Sequence, residues 1–194
     1  MKIVVVVDMQ NDFIDGVLGS PEAQAIVPVM LDRLHELDDG ETLLFFTKDT
    51  HQSDYFETQE GKNLPVKHCI EGTSGWSINK QISSYVDYGS KFLGYSTHDI
   101  RKSRVLKPTF GSLELANTIR GLVNDNPHID IDEVILMGVC TDICVISNAM
   151  LLKAYCPELL ITVDASCCAG VTPESHKNAL AAMKMCQINI INED

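Results

Sequence analysis

The run of residues 3–7, Ile-Val-Val-Val-Val, constrains the fold more than any other stretch of the sequence. Consecutive β-branched residues favour a strand, and a strand without polar alternation is usually buried on both faces. Both faces are covered when helices pack on each side of a parallel sheet. The run ends at Asp8, so a carboxylate is expected at the carboxyl end of the strand, where open parallel sheets bind their ligands.

Strand patterns and helix patterns alternate along the rest of the chain. Further strands are predicted at 42–47, 104–106, 133–138, 159–163 and 188–191. Helices are predicted at 21–37, 76–86, 112–123 and 173–185, and a fifth after the strand that ends at 138, whereas residues 52–75 have no sustained period. The alternation predicts an α/β fold, a three-layer α/β/α sandwich around a central, mainly parallel, doubly wound six-stranded sheet. We expect residues 1–194 to form one domain.

The charge of the chain excludes two classes of partner. The formal net charge is −12 and no basic run occurs, which argues against nucleic acid and against an anionic membrane surface. The N-terminus enters the first predicted strand without the features of a signal peptide. Seven cysteines are then most simply explained as reduced thiols. We therefore expect a cytoplasmic protein.

Cys144 lies in the stretch 138–145, GVCTDICV, which joins a predicted strand to a predicted helix. Thr141 or Asp142 is placed to cap this helix, and Cys144 then falls in the first turn. Free backbone N–H groups and the helix dipole favour an anion there, so a lowered thiol pKa and a nucleophilic role are expected. The alternative is a small buried apolar side chain, the usual role of a free cysteine.

Four stretches resemble the isochorismatase-like cysteine hydrolases, the superfamily that contains the nicotinamidases. They are VVDMQNDF at 6–13, DTH at 49–51, KPTF at 107–110 and GVCTDICV at 138–145, in the order of the family. The resemblance implies a catalytic triad of Asp8, Lys107 and Cys144. Each of the three ends or follows a different predicted strand, so a doubly wound sheet can bring them together.

The three residue types suit amide hydrolysis. A thiolate attacks the carbonyl carbon, and a carboxylate takes the thiol proton and returns it to the leaving amine. Lys107 would hold the carboxylate and stabilise developing negative charge. By resemblance, backbone N–H groups of Cys140 and Cys144 form the oxyanion hole, and the Val139–Cys140 peptide bond is cis. Two cysteines four residues apart also suggest a redox pair or metal site, although the spacing matches no standard motif.

A second set of residues is suited to a metal ion. Asp49, His51 and the distant His68 offer oxygen and imidazole ligands of the kind that zinc, iron or manganese prefer. Nicotinamidases bind such a metal through the matching positions, and Glu60 stands where some members add an acidic ligand. The resemblance therefore implies one divalent transition metal as cofactor. The alternative for each histidine is an ordinary position on the surface of a loop.

The expected substrate pocket departs from the nicotinamidase pattern. Phe13 is kept, but Leu64 stands where another aromatic ring stacks on the ligand, and Thr50 stands where many members have tryptophan. The wall that stacks on a pyridine ring is therefore thinner. The missing aromatic residues therefore weaken the prediction that nicotinamide is the substrate more than the prediction of amide hydrolysis.

Together these features predict an amidase that hydrolyses a small, nicotinamide-like amide through a thioester to an acid and ammonia. We also expect a homo-oligomer. One alternative is a metal-free C–N hydrolase of the same superfamily that acts on ureido or carbamoyl compounds. Another is a non-catalytic binding or scaffold member, which the complete set of triad residues disfavours.

Overall fold

A computed structural model of the chain describes residues 1–86, 101–125 and 130–193. Its centre is a sheet of six parallel strands in the order β3-β2-β1-β4-β5-β6. The strands are β1 (Lys2–Val7), β2 (Leu43–Asp49), β3 (Lys102–Lys107), β4 (Glu133–Val139), β5 (Leu160–Ala169) and β6 (Asn189–Ile191). The predicted α/β fold is confirmed, and the sheet is wholly parallel within these ranges.

Helices cover the sheet on both faces. The α-helices in the described ranges are α1 (Asn11–Ile14), α2 (Pro21–Leu37), α3 (Gln59–Asn63), α4 (Leu113–Asp125), α5 (Ile146–Tyr155) and α6 (Pro173–Met185). Right-handed crossovers place α2 on one face and α4, α5 and α6 on the other. The packing agrees, since α2 lies against β5 while α5 contacts both α4 and α6. Within the described ranges, no helix combines the length and apolar character needed to cross a bilayer.

The chain reverses its direction across the sheet between β1 and β4, and this reversal positions the site. Residues 3–7 of β1 are completely buried, as the β-branched run predicts. Gly138 of β4 has φ +127°, and a Cβ there would lie 2.1 Å from the Val7 carbonyl oxygen. Glycine therefore allows the two strands to approach closely at their carboxyl ends. A crevice at such a switch point is where doubly wound sheets bind ligands.

Three predicted elements differ most in extent from those observed. β3 and β5 are longer than predicted, and β5 continues past a shift in its register with β4 between Leu136 and Gly138. The predicted helix at 76–86 is wrong except for one 3-10 turn, Ile82–Tyr85. The preceding backbone bonds to the segment after β1 instead: Ser77 accepts from Asn11, and Asn79 donates to Met9.

Candidate active site

Asp8, Lys107 and Cys144 meet at the carboxyl edge of the sheet. Asp8 follows β1, Lys107 ends β3, and Cys144 lies in the turn after β4. Lys107 Nζ is 2.6 Å from Asp8 Oδ2 and 3.5 Å from Cys144 Sγ. The exposed fraction is 0% for Asp8 and Lys107 and 5% for Cys144. Residues far apart in sequence thus form one buried cluster with an acid, a cation and a thiol in contact.

The backbone at Asp8 adopts an unusual conformation. Its φ of +49° lies in the left-handed region, which a non-glycine residue occupies at an energetic cost and often at a functional site. One carboxylate oxygen, Oδ1, accepts a 2.6 Å hydrogen bond from Thr47 Oγ1. Burial raises the pKa of Asp8, and Lys107 offsets part of that rise. The carboxylate is therefore a stronger proton acceptor than an exposed aspartate.

Lys107 connects this cluster to a second one. Its Nζ lies 3.4 Å from Asp49 Oδ1, in addition to its contact with Asp8. Burial by itself disfavours the ammonium form, but the neighbouring Asp8, Cys144 and Asp49 raise the pKa of Lys107 above its ordinary value. Lys107 is thus a permanent buried cation.

The turn that carries Cys144 is held differently from the prediction. Neither Thr141 nor Asp142 caps the helix, which begins after Cys140 with a π-helical turn. Thr141 Oγ1 instead lies 2.8 Å from His176 Nδ1 in α6, and Asp142 Oδ1 accepts a 3.0 Å hydrogen bond from the Val171 backbone. The two side chains therefore anchor the turn to neighbouring segments and leave its backbone N–H groups uncapped by side chains.

The expectation of a lowered thiol pKa is wrong for this structure. Burial and the adjacent Asp8 carboxylate raise the pKa of Cys144 well above its ordinary value, although Lys107 acts in the opposite direction. The resting thiol is therefore protonated at neutral pH, and the adjacent Asp8 carboxylate is the group placed to remove the proton.

Cys140 lies beside Cys144 but in a different environment. The Val139–Cys140 peptide bond is cis, as the resemblance implies. Burial, with Asp142 and Asp8 nearby, raises the pKa of the Cys140 thiol to about 12. Its carbonyl oxygen accepts hydrogen bonds from the Ile143 and Val145 backbones. The backbone around Cys140 thus shapes the nucleophile turn.

Asp49, His51, Glu60 and His68 form the second cluster, and their ligand atoms all lie within 4.8 Å of one another. Asp49 Oδ2 is 3.0 Å from His51 Nε2 and 3.3 Å from His68 Nε2. Glu60 Oε1 is 3.4 Å from the same atom of His51 and 3.6 Å from that of His68. The fold brings together all four residues of the predicted metal set.

This second cluster has the features that a bound cation requires. His51 Nε2 is buried and, although close to Asp49, is not aligned for a hydrogen bond. His68 Nδ1 lies 2.8 Å from the Val66 carbonyl oxygen, which turns Nε2 towards the centre of the cluster. Burial opposes a charged imidazole, yet the Asp49 and Glu60 carboxylates raise the pKa of His51 to about 9. Two imidazoles and two carboxylates therefore fit a divalent transition metal.

Tyr55 supports the two histidines, and the sequence patterns did not indicate it. Its ring is fully buried and packs edge-on against His51 and His68, with centroid distances of 4.8 and 5.1 Å. Its hydroxyl donates to the Leu64 carbonyl oxygen. A large aromatic residue in a segment without periodicity could have indicated a buried position. The sequence alone did not show which side chains this residue contacts.

Gln10, Asp12 and Thr47 are further supporting residues that were not singled out. Gln10 makes two hydrogen bonds to the end of β2. Its Nε2 donates to the Asp49 carbonyl oxygen, and its Oε1 accepts from the Asp49 N–H. Asp12 Oδ2 accepts from the backbone N–H of Cys69, which follows His68. Gln10 and Asp12 lie inside the motif VVDMQNDF, and Thr47 is a polar residue in an otherwise apolar strand. These positions could have indicated a supporting role in the site.

A cavity of about 480 Å³ opens in front of both clusters. Cys144, Asp49 and His68 line it, so a ligand inside can contact the thiol and the second cluster together. Phe13 and Leu64, the predicted pocket residues, line the same cavity. Eight of the sequence-predicted site residues thus line one cavity, and the other three, Asp8, Lys107 and His51, contact members of the two clusters.

Comparison with known proteins agrees with this architecture. Residues 2–193 match the family model for the isochorismatase domain. The nicotinamidase of Schizosaccharomyces pombe is 25% identical over 218 residues, covering 98% of this chain and 92% of that protein.

Two solved structures are also similar. The pyrazinamidase/nicotinamidase of Streptococcus mutans has a TM-score of 0.77 and 26% identity, covering 98% of this chain and 100% of that chain. The pyrazinamidase of Pyrococcus horikoshii, solved in complex with zinc, has a TM-score of 0.75 and 22% identity, and 98% of each chain is covered. The similarity in each case extends over nearly the whole molecule.

Proposed function

The chain belongs to the isochorismatase family, and from that premise we propose that it is a cysteine amidase whose residues 1–194 act as a single hydrolase domain. It would cleave the C–N bond of a small, nicotinamide-like amide to give an acid and ammonia. One observation supports this most directly: Lys107 Nζ contacts both the Asp8 carboxylate and the Cys144 thiol at the inner end of a cavity.

In the first half of the reaction, Cys144 Sγ forms a bond to the amide carbon while its proton passes to Asp8. The raised pKa of Asp8 suits this transfer, and Lys107 keeps the site neutral as charge moves. Collapse of the tetrahedral intermediate breaks the C–N bond. Asp8 returns the proton to the departing nitrogen, and ammonia leaves a thioester on Cys144.

In the second half, water attacks the thioester carbon and gives a proton to Asp8. The C–S bond then breaks, the acid is released, and Asp8 reprotonates the Cys144 sulfur. The backbone N–H groups of Cys140 and Cys144 are proposed to stabilise the oxyanion in both halves. Lys107 adds a fixed positive charge beside the reacting sulfur.

Asp49, His51, Glu60 and His68 are proposed to hold a divalent transition metal, zinc, iron or manganese. Bound there, the ion would supply Lewis-acid binding of a substrate heteroatom. The zinc in the Pyrococcus horikoshii pyrazinamidase supports this proposal. Lys107 contacts both Asp8 and Asp49, so a change of charge in one cluster would be felt in the other through Lys107.

The purified protein is expected to carry about one transition metal per chain, because the four ligands are already gathered in the folded structure. Elemental analysis by mass spectrometry should show loss of the metal in His51→Ala and His68→Ala and weaker retention in Glu60→Ala. The exposed His35 gives a matched control, and His35→Ala should keep the metal.

Active enzyme without metal would contradict the metal assignment and favour the metal-free hydrolase of ureido or carbamoyl compounds. A panel of carboxamides, ureido compounds and carbamoyl compounds, assayed by ammonia release, tests the wider proposal. Hydrolysis of carboxamides supports the amidase, and no release from any compound contradicts it.

Every cysteine is a free thiol, which fits the proposed cytoplasmic location. The homo-oligomer stays a prediction, to be checked by sedimentation.

A further inference from the structure

The cavity in front of Cys144 is mainly apolar outside its inner end, where Cys144 and the proposed metal cluster lie. Among its described lining residues, the ionisable carboxylate and imidazole groups are Asp49, Glu60 and His68, all of which belong to the proposed metal cluster. The Ser20 hydroxyl oxygen is engaged as the N-cap of α2, where it accepts from the Ala23 N–H. Most of the remaining lining is aliphatic or aromatic. Beyond these three residues, a ligand body in the cavity meets no charged side chain among the described lining residues.

The apolar lining continues to the mouth of the cavity. Leu64, Phe110 and Val171 all line it and are 38%, 47% and 57% exposed. Large apolar side chains grouped at the rim of a cavity mark a surface that is covered when the protein binds its ligand. The three come from different segments: Leu64 follows α3, Phe110 follows β3, and Val171 follows β5. The apolar rim is therefore assembled from three separate segments.

The volume is also larger than a single ring requires. At about 480 Å³, the cavity falls within the range of pockets that enclose drug-sized ligands. A pyridine ring with one carboxamide, placed with its carbonyl at Cys144, would leave the apolar rim in contact with water. Filling that space with hydrocarbon removes apolar surface from water on both molecules, which favours binding.

We propose that the outer cavity binds the hydrocarbon body of an uncharged carboxamide larger than a single pyridine ring, and that such amides are better substrates than nicotinamide. This inference rests on the proposed amidase function. The reactive carboxamide would lie between Cys144 and the metal cluster. The alkyl or aryl extension would lie against Leu64, Phe110 and Val171.

The test compares benzamide, para-ethylbenzamide and para-butylbenzamide, with nicotinamide as reference, on the enzyme as purified. The three benzamides differ only in their alkyl chain, so contacts of a ring nitrogen do not enter the comparison. kcat/KM from ammonia release should rise about fourfold for each buried methylene. Para-butylbenzamide should exceed nicotinamide by at least about tenfold.

Leu64→Asn tests the rim with little risk to the fold, because Leu64 is partly exposed and the Tyr55 hydroxyl bonds only to its backbone. This variant should lower the ratio of kcat/KM for para-butylbenzamide to kcat/KM for benzamide about tenfold. Leu160→Asn is the matched control, since Leu160 is an exposed leucine at the opposite end of β5. It should leave all four values unchanged.

The outcomes separate the two proposals. Ammonia release that is equal or lower for the longer benzamides overturns the inference and leaves the amidase proposal standing. No ammonia from any of the four, with none from the wider panel, overturns the amidase and the inference with it. If Leu64→Asn instead changes the sedimentation of the protein and lowers all four rates equally, the rim is an interface between copies and the inference is wrong.

Discussion

The Cys144→Ala variant is expected to lose nearly all release of ammonia from any amide that the wild-type protein hydrolyses. The proposed reaction forms a covalent bond to this sulfur, and no neighbouring side chain can replace it at the same position. Removal of a covalent nucleophile should lower kcat by a factor on the order of 10⁴ or more. Ammonia release under single-turnover conditions would measure the loss.

The fold should survive this change. The Cys144 thiol is small, and its removal should cost about 1 kcal/mol of the free energy of unfolding. Thermal unfolding of the variant checks this point, so that loss of activity is not mistaken for loss of structure.

Cys140→Ala is the matched control, because it removes a neighbouring thiol of the same cavity wall and keeps the backbone. It should retain most of the activity. Mass spectrometry of a trapped acyl-enzyme should locate the modification on Cys144. An acyl group on Cys140, or more than a few per cent of the activity in Cys144→Ala, would show that the assignment of the nucleophile is wrong.

The Asp8→Asn variant is expected to lose activity and to ionise its thiol more readily. Without the carboxylate, the thiol proton has no acceptor, and kcat should fall about 10²-fold or more. The Asp8 charge also raises the pKa of Cys144, while Lys107 lowers it. When the carboxylate is removed, burial and Asp49 still raise the thiol pKa, but Asp8 no longer opposes Lys107, so the thiol pKa should fall. The folded variant would then hold more thiolate at neutral pH and still turn over more slowly.

Thiolate absorbance in the ultraviolet, followed against pH, measures this ionisation, with Asp8→Asn/Cys144→Ala as the blank. Asparagine tolerates the left-handed backbone that Asp8 adopts, so the fold should be kept. Thr47→Val is the control, since it removes the 2.6 Å hydrogen bond to Asp8 but leaves the charge. It should cost about tenfold in kcat or less. An unchanged thiol titration in Asp8→Asn, or an unchanged pH–rate profile, would contradict the proposed role.

Much of the fold and of the candidate site could be predicted from local sequence patterns. The buried β-branched run of β1 and the alternation with helices were sufficient for the parallel sheet, because both patterns reflect which faces a segment buries. The proposed triad residues, Asp49 and His51 could be named because they stand at or near strand ends within recognisable motifs. Glu60 and His68 lie in the segment between β2 and β3 and were named from their match to the nicotinamidase pattern. The helix predicted at 76–86 was wrong because Ser77 and Asn79 bond to the segment after β1, a contact that no local pattern reveals.

The sequence by itself determined which residue types end each strand, and hence that an acid, a lysine and a thiol could meet at one edge. Only the tertiary structure decided the state of the thiol. A helix start by itself favours a thiolate. Burial and the adjacent Asp8 raise the thiol pKa, and both depend on distances between residues far apart in the chain. The same holds for the outer cavity, since Leu64, Phe110 and Val171 become one apolar rim only when three separate segments converge.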